Sequence, residues 1–447
     1  MLRAAVVLFA PAFAAIAAAQ NPESSAVDPA RREALDRAAR AAGPSSQVPA
    51  APPPAPGGSL RLLDVSLDLL AAIGSSTERD AVLADLNGGA HDARQRGFSL
   101  QQAELALAGA VDPWFEGKAL LVAQIAPGDG ETIVELEEAY LTTTQLPAGL
   151  QVKAGTFFTE FGRINPTHPH AWDWLSQPVV HSRVFGGDGM RGPGARLSWL
   201  LPCERYTELF LGAQNATGET MTSFVANEEV YAERGIGGRA FTARETRSLG
   251  DLVWTARAAT EFALGEATTL GLGASAVFGP NATGNDADTA IYGVDFLLRW
   301  WPLSNQQGYP FWKVQGEFLQ RAFEAAEQID ASEPLQPVTV PSATLDDYGG
   351  YLQVLHGFTE GWAAGVRVEW ASGAGDSYGG GGSFARADDP YRTDRWRVSP
   401  LLTWHPSEFS RLRLQYDYDD SDHLDRAVHS VWLGFEILIG AHPPHAY

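Results

Sequence analysis

A single cysteine, Cys203, stands in the chain, so no internal disulfide can staple the fold in an oxidising compartment. Basic residues are scarce: 32 Lys and Arg against 54 Asp and Glu leave a formal charge of −22 at pH 7, which argues against a nucleic-acid partner. Long apolar runs are missing too. Beyond the N-terminus, nothing approaches the ~18 consecutive apolar residues that a membrane helix needs. Any passage through a bilayer must therefore be made by strands, because only helices and closed barrels satisfy the backbone in lipid. Methionine is rare and glycine abundant, 3 against 46, which suits a β-protein with many turns better than a helical one.

The ends read as export and spacer segments. Met1-Leu2-Arg3 is a short basic start, Ala4 to Ile16 is apolar but too short to span, and Ala17-Ala18-Ala19 supplies small cleavage residues. Residues 1–19 are expected to be a signal peptide and residues 20–58 a periplasmic spacer. Within the spacer, Asp28 to Ala42 is helix-prone, with Pro29 at the first helical position, and Pro49 to Gly58 is Pro-rich and extended. Residues 441–447 form a short tail.

Between them, residues 59–440 alternate apolar and polar positions in segments of roughly ten. In the run from Trp362 to Trp370, Trp362, Ala364, Val366, Val368 and Trp370 share one face while Arg367 and Glu369 share the other. The same band recurs on too many segments for one soluble core to bury. The pattern predicts an all-β fold: a transmembrane antiparallel β-barrel of about sixteen strands, from Leu60–Ile73 to Val428–Ile439. Connections alternate between tight ones, such as Asp112-Pro113-Trp114 and Gly265-Glu266, and long polar ones, such as 74–97, 159–193, 215–251, 322–347 and 372–394. Tight turns facing the periplasm and long loops facing outward would orient such a barrel in the outer membrane of a bacterium, with lipid as its surrounding partner.

The opposite face gives the expected lumen lining: Glu104, Lys118, Glu135, Glu137, Lys153, Arg196, Arg257, Arg299, Arg367, Glu369, Arg397, Arg411 and Arg413. Charges of both signs on nearly every strand imply a wet face, and at this strand number the interior can be a channel. The alternative is that these charges pair across the interior and close it. The 159–193 connection is rich in charge and histidine, and Glu160, Arg163, His168, His170, Asp173, Arg183, Asp188 and Arg191 are the expected constriction. An external lid packed by Trp172, Trp174 and Phe185 is the competing reading. His168-Pro169-His170 and His442-Pro443-Pro444-His445 have the residue type of metal ligands. They are read as solvated or hydrogen-bonded, so no metal and no cofactor is expected. The pairs Glu135/Glu137 and Glu137/Glu138 lack a partnered nucleophile, and His429 and Ser430 point to opposite faces, so no catalytic group is expected.

Two consecutive segments carry a family resemblance. Val134-Glu135-Leu136-Glu137-Glu138-Ala139-Tyr140-Leu141, then Leu150 to Gly162 (LQVKAGTFFTEFG), resemble the acidic-Ala-Tyr strand, glycine-containing strand and loop of the phosphate-selective porin O and P family. The resemblance implies a sixteen-stranded passive channel, a homotrimer in that family's manner, passing small hydrophilic solutes or ions, anions such as phosphate among them. In that family, arginines and lysines line the passage. Arg163, Arg183 and Arg191 occupy the matching loop here and are balanced by Glu160, Asp173 and Asp188. The chain also resembles proteins labelled TonB-dependent receptors, but about forty residues of spacer leave no room for their globular plug. Two rival functions are a closed structural or adhesion barrel that binds a partner through its loops and an outer-membrane lipid hydrolase.

Overall fold

The computed structural model describes residues 63–440 except 87, 94, 127–129, 303, 305–307, 331–336 and 380–381. The expected signal segment, the spacer and the tail with His442 and His445 lie outside the described residues. The strands are β1 (Asp64–Ser76), β2 (Gly97–Ala110), β3 (Phe115–Ile125), β4 (Thr132–Thr143), β5 (Leu150–Phe158), β6 (Arg191–Leu200) and β7 (Thr207–Asn215). They continue with β8 (Leu252–Ala263), β9 (Thr268–Pro280), β10 (Asp288–Trp300), β11 (Phe311–Ala325), β12 (Gln328–Asp330), β13 (Val338–Val340) and β14 (Ala343–Thr359). The last are β15 (Trp362–Ala374), β16 (Ser377–Gly379), β17 (Gly382–Phe384), β18 (Arg395–Ser407), β19 (Ser410–Ser421) and β20 (Val428–Gly440).

Sixteen of these form one closed antiparallel barrel, and β12–β13 and β16–β17 are separate hairpins within two of the long connections. Closure is made by β1 against β20, with Leu67 opposite Ile439 and Ile73 opposite Leu433. Every backbone donor and acceptor along the wall can then find a neighbour, which removes the edge that lipid would leave unsatisfied. The long connections gather at one end of the barrel, together with the shorter 126–131 and 422–427, and the tight turns lie at the other. Among the described residues, three short α-helices lie in the long ones: α1 (Asp80–Leu86), α2 (Val179–Phe185) and α3 (Glu228–Arg234).

The outward faces are the expected ones. On β10, Tyr292 and Val294 are exposed while Asp295 and Arg299 are buried. Aromatic pairs mark both ends of the apolar band. Trp362 lies opposite Trp404 with stacked rings 5.6 Å apart, and Trp370 lies opposite Trp396 at 6.1 Å. Eight residues of strand separate the two pairs, a rise of about 27 Å. Tilted as barrel strands are, that spans about 20 Å of bilayer, close to the ~25 Å apolar band of such proteins.

The interior departs from the solvent-filled lumen that the charged faces suggest. Towards the long-loop end, the inward faces of β8 to β11 carry Val253, Val277, Ile291 and Leu319. These pack against Phe161, Val180, Val184 and Phe185 from the connection after β5, and against Met221, Phe224, Val225 and Tyr231 from the one after β7. A second cluster sets Leu83 and Leu86 of α1 against Leu70, Leu175 and Trp432. The loops bring their own apolar side chains inward, and burial worth about 25 cal/mol per Å² holds them there.

Candidate functional site

The connection between β5 and β6, residues 159–190, folds into the barrel. Its base is closed by Asn165, whose side-chain amide donates to the Thr159 carbonyl at 2.8 Å and whose oxygen accepts from the Met190 N–H at 2.7 Å. Gly162 has φ +61, and a Cβ there would run into the Glu317 carboxylate, so the chain can hug the wall only as glycine. Glu317 also accepts from the Ile164 N–H at 3.0 Å and from the Tyr351 hydroxyl at 2.7 Å. Further on, Trp174 reaches a cluster with Phe311, Leu355, Ala363 and Leu401 near the short-turn end. The loop then returns through α2, whose first N–H, on Val179, donates to Glu369 at 2.6 Å.

Each residue expected in the constriction lies on this loop or where it rejoins the wall, and its charge partner comes from a strand or another loop. Arg163 stands 2.8 Å from Asp295, Asp173 2.8 Å from Lys313, and Glu160 2.6 Å from Arg196. Arg191 belongs to β6 and meets Glu135 at 2.6 Å, while Asp188 lies 3.7 Å from His91. Arg183 donates to the carbonyls of Ser372, Arg392 and Thr393. Glu160, Arg163, Asp173 and Asp188 keep part of their side chains exposed, whereas His168, His170, Arg183 and Arg191 are buried. Burial raises the carboxyl pKa of Asp173, but Lys313, Arg411 and Arg413 win and hold it below its ordinary value.

The residues expected to line the lumen are bound up in the same way. Arg411 and Arg413 share Glu436 and donate to the carbonyls of His170, Trp172 and Trp174. Arg367 bonds Glu369 and both oxygens of Ser176. Arg257 pairs with Asp295, Arg397 with Asp419, and Lys118 lies 3.9 Å from Glu138. Lys153 sits over the Tyr140 ring at 4.3 Å and Arg299 beside Trp301 at 5.8 Å. Asp347, which joins Arg321 and Arg392, and Glu436 were absent from the sequence-based lining. Strand alternation from Val428 marks Glu436 as inward, whereas Asp347 falls in what reads as a loop because β14 begins five residues earlier than the pattern suggests.

His168 and His170 are not solvated. They meet three wall carboxylates, and a β-bulge explains how. Leu120 pairs with Glu138 and Leu121 with Leu136, leaving Glu137 as the extra residue. A bulge lets two successive side chains face the same side, so Glu137 and Glu138 both point inward, beside Glu104 of β2. His168 Nε2 bonds Glu138 at 3.0 Å, and its Nδ1 faces Glu137 at 2.9 Å and Glu104 at 3.4 Å. His170 Nδ1 bonds Glu104 at 3.2 Å. From the connection after β1, His91 Nε2 bonds Glu137 at 3.2 Å while its Nδ1 donates to the Gln101 carbonyl. Burial lowers the His168 pKa, but Glu104, Glu137 and Glu138 lift it to about 10; burial likewise opposes, and Glu104 outweighs, at His170.

No family model matches the chain. Along 415 residues it is 29% identical to an uncharacterized protein of Aquifex aeolicus, covering 86% of this chain and 80% of that protein. Among solved structures it resembles the outer membrane channel DcaP of Acinetobacter baumannii, with 12% identity, a TM-score of 0.53, and 84% of this chain covering 97% of that one. It also resembles OprB of Pseudomonas putida, with 11% identity, a TM-score of 0.51, and coverage of 85% and 94%. At such identities the likeness is one of fold.

Proposed function

We propose that the chain is a bacterial outer-membrane channel through which small hydrophilic solutes or ions diffuse passively, with the 159–190 loop as its constriction. The observation that carries this reading is the loop itself, drawn across a sixteen-stranded barrel and tied to the far wall by Arg367, Arg411 and Arg413. Glu160, Arg163, Asp173 and Asp188 are loop charges that keep solvent contact, and with Lys118 and Lys313 they flank the narrow passage. Because cations and anions alternate there, selection is by size and by weak charge preference, with inorganic anions such as phosphate the first solutes to try. A homotrimer is the expected assembly, countable by native mass spectrometry in detergent.

Planar-bilayer recording of the purified protein tests the channel. The expected result is small, stepwise currents, and deletion of residues 168–185 raises them several-fold. A folded protein that stays silent in both forms would overturn the proposal. A second reading has its own support: the apolar cluster around Phe161, Phe185 and Phe224 fills the long-loop half of the interior, as a closed barrel that binds partners through its loops would require. Silence of the intact protein with conduction after loop deletion is the signature of that reading. The Ser–His pair weighed for a hydrolase is not brought together, since His429 faces outward and Ser430 inward.

A further inference from the structure

We infer that Glu104, Glu137 and His168 form a divalent transition-metal site that clamps the 159–190 loop to the barrel wall. One ligand atom from each residue lies within 4.8 Å of the other two, and all three residues are buried. A metal bound by nitrogen and oxygen at about 2.1 Å holds adjacent ligands about 3.4 Å apart. His168 Nδ1 and Glu104 Oε2 already stand at 3.4 Å.

The hydrogen bonds around the cluster point the same way. Glu138 is a carboxylate and only accepts, so His168 carries a hydrogen on Nε2. Its Nδ1 is thereby turned towards two further carboxylates, which demands a positive centre between them. A proton on Nδ1 is the simplest one, but it can point at only one of them, Glu137 Oε2 at 2.9 Å or Glu104 Oε2 at 3.4 Å. An ion in the middle satisfies both at once. Glu138 on the far nitrogen is the carboxylate–histidine arrangement that orients metal-bound imidazoles, and His91 on the other oxygen of Glu137 does the same for that carboxylate. His170 stacks parallel to His168, ring centroids 5.8 Å apart, and its Nδ1 bonds Glu104, orienting that carboxylate in turn.

One imidazole with two carboxylates selects zinc, nickel or cobalt over calcium or magnesium, which take oxygen sets. The clamp joins a loop to two strands separated in sequence, β2 and β4, and it stands whether or not the lumen conducts.

The test uses the full protein in detergent, stripped with a chelator and dialysed, with Zn²⁺ titrated by calorimetry and the bound metal counted by mass spectrometry. The expected result is one tightly held zinc per chain, at least tenfold weaker in both His168→Ala and Glu137→Gln, and unchanged in a His442→Ala/His445→Ala tail variant. Zinc K-edge absorption of the unmodified protein reads the ligands even if a variant misfolds, and one imidazole with oxygen donors is expected. No stoichiometric zinc in the unmodified protein, a sulfur- or imidazole-only shell, or binding lost with the tail histidines would overturn the site.

Discussion

Replacing Arg367 by Ala gives a direct measure of how firmly the loop is docked. Arg367 donates to the Ser176 carbonyl at 2.9 Å, to the Ser176 hydroxyl at 2.7 Å and to Glu369 at 2.7 Å, and it lies 5.5 Å from the Trp174 ring. Its removal also strands Glu369, which is buried and keeps the Val179 N–H as a donor. Breaking a buried pair from one side costs about 3–5 kcal/mol. Since about 1.4 kcal/mol is tenfold, even the lower figure raises the undocked population on the order of 100-fold. Three amides report docking because each bonds to a side chain outside the loop: Leu175 to Gln415, Gln177 to Asp92 and Val179 to Glu369. Their hydrogen exchange should accelerate on the order of 100-fold while amides paired along the wall strands hold their protection. The double variant Arg367→Met/Glu369→Gln leaves no orphaned charge and keeps an acceptor for Val179, so most of the protection returns. Unchanged exchange at the three amides in Arg367→Ala, or equal acceleration along the wall, would refute the reasoning.

The other predictions concern charge, pH and lipid. Arg163→Glu places a second acid beside Asp295 on the solvent-touching side of the loop, and reversal potentials should shift towards cations; the same change at Arg183, held by three carbonyls, should undock the loop instead. The Asp173 carboxyl is held below its ordinary value of 3.8, so its grip on Lys313 is fully present above that pH and is lost as the pH falls through the depressed value. Protection of the loop amides, taken relative to their intrinsic exchange, should therefore be flat from neutrality to about pH 4 on account of this pair and fall below it, and Asp173→Asn should remove that acid limb. Val294→Arg puts a cation on the exposed outer face of β10 and should cost about 2–4 kcal/mol of folding stability in lipid vesicles if that residue lies near mid-membrane.

Strand number and facing were legible in the sequence because a period of two is a local property: Trp362 to Trp370 shows its two faces without reference to any other strand. What the sequence hid is what depends on distance along the chain. The three-carboxylate cluster exists because one residue, Glu137, is extra against β3, and a run of Glu-Leu-Glu-Glu does not announce a bulge. The loop charges look mutually balanced in sequence, yet Arg163, Asp173 and Glu160 each find their partner on a strand, Asp295, Lys313 and Arg196. One sign of the filled interior was present. Val253, Val277, Ile291 and Leu319 are apolar on the face that should be polar, and all lie towards the long-loop ends of their strands. Reading that departure as a docking surface for Phe161 and Phe185 would have found the inserted loops.

Everything turns on whether residues 159–190 lie inside the barrel in the living membrane. Ser176 Oγ and the Gln415 amide are 3.1 Å apart, loop against β19. In a Cys203→Ser background, Ser176→Cys with Gln415→Cys should be joined by a short bifunctional thiol reagent in intact outer membranes, giving a linked peptide by mass spectrometry. A thiol at position 176 that escapes linkage and is labelled from outside by an impermeant maleimide would contradict the account.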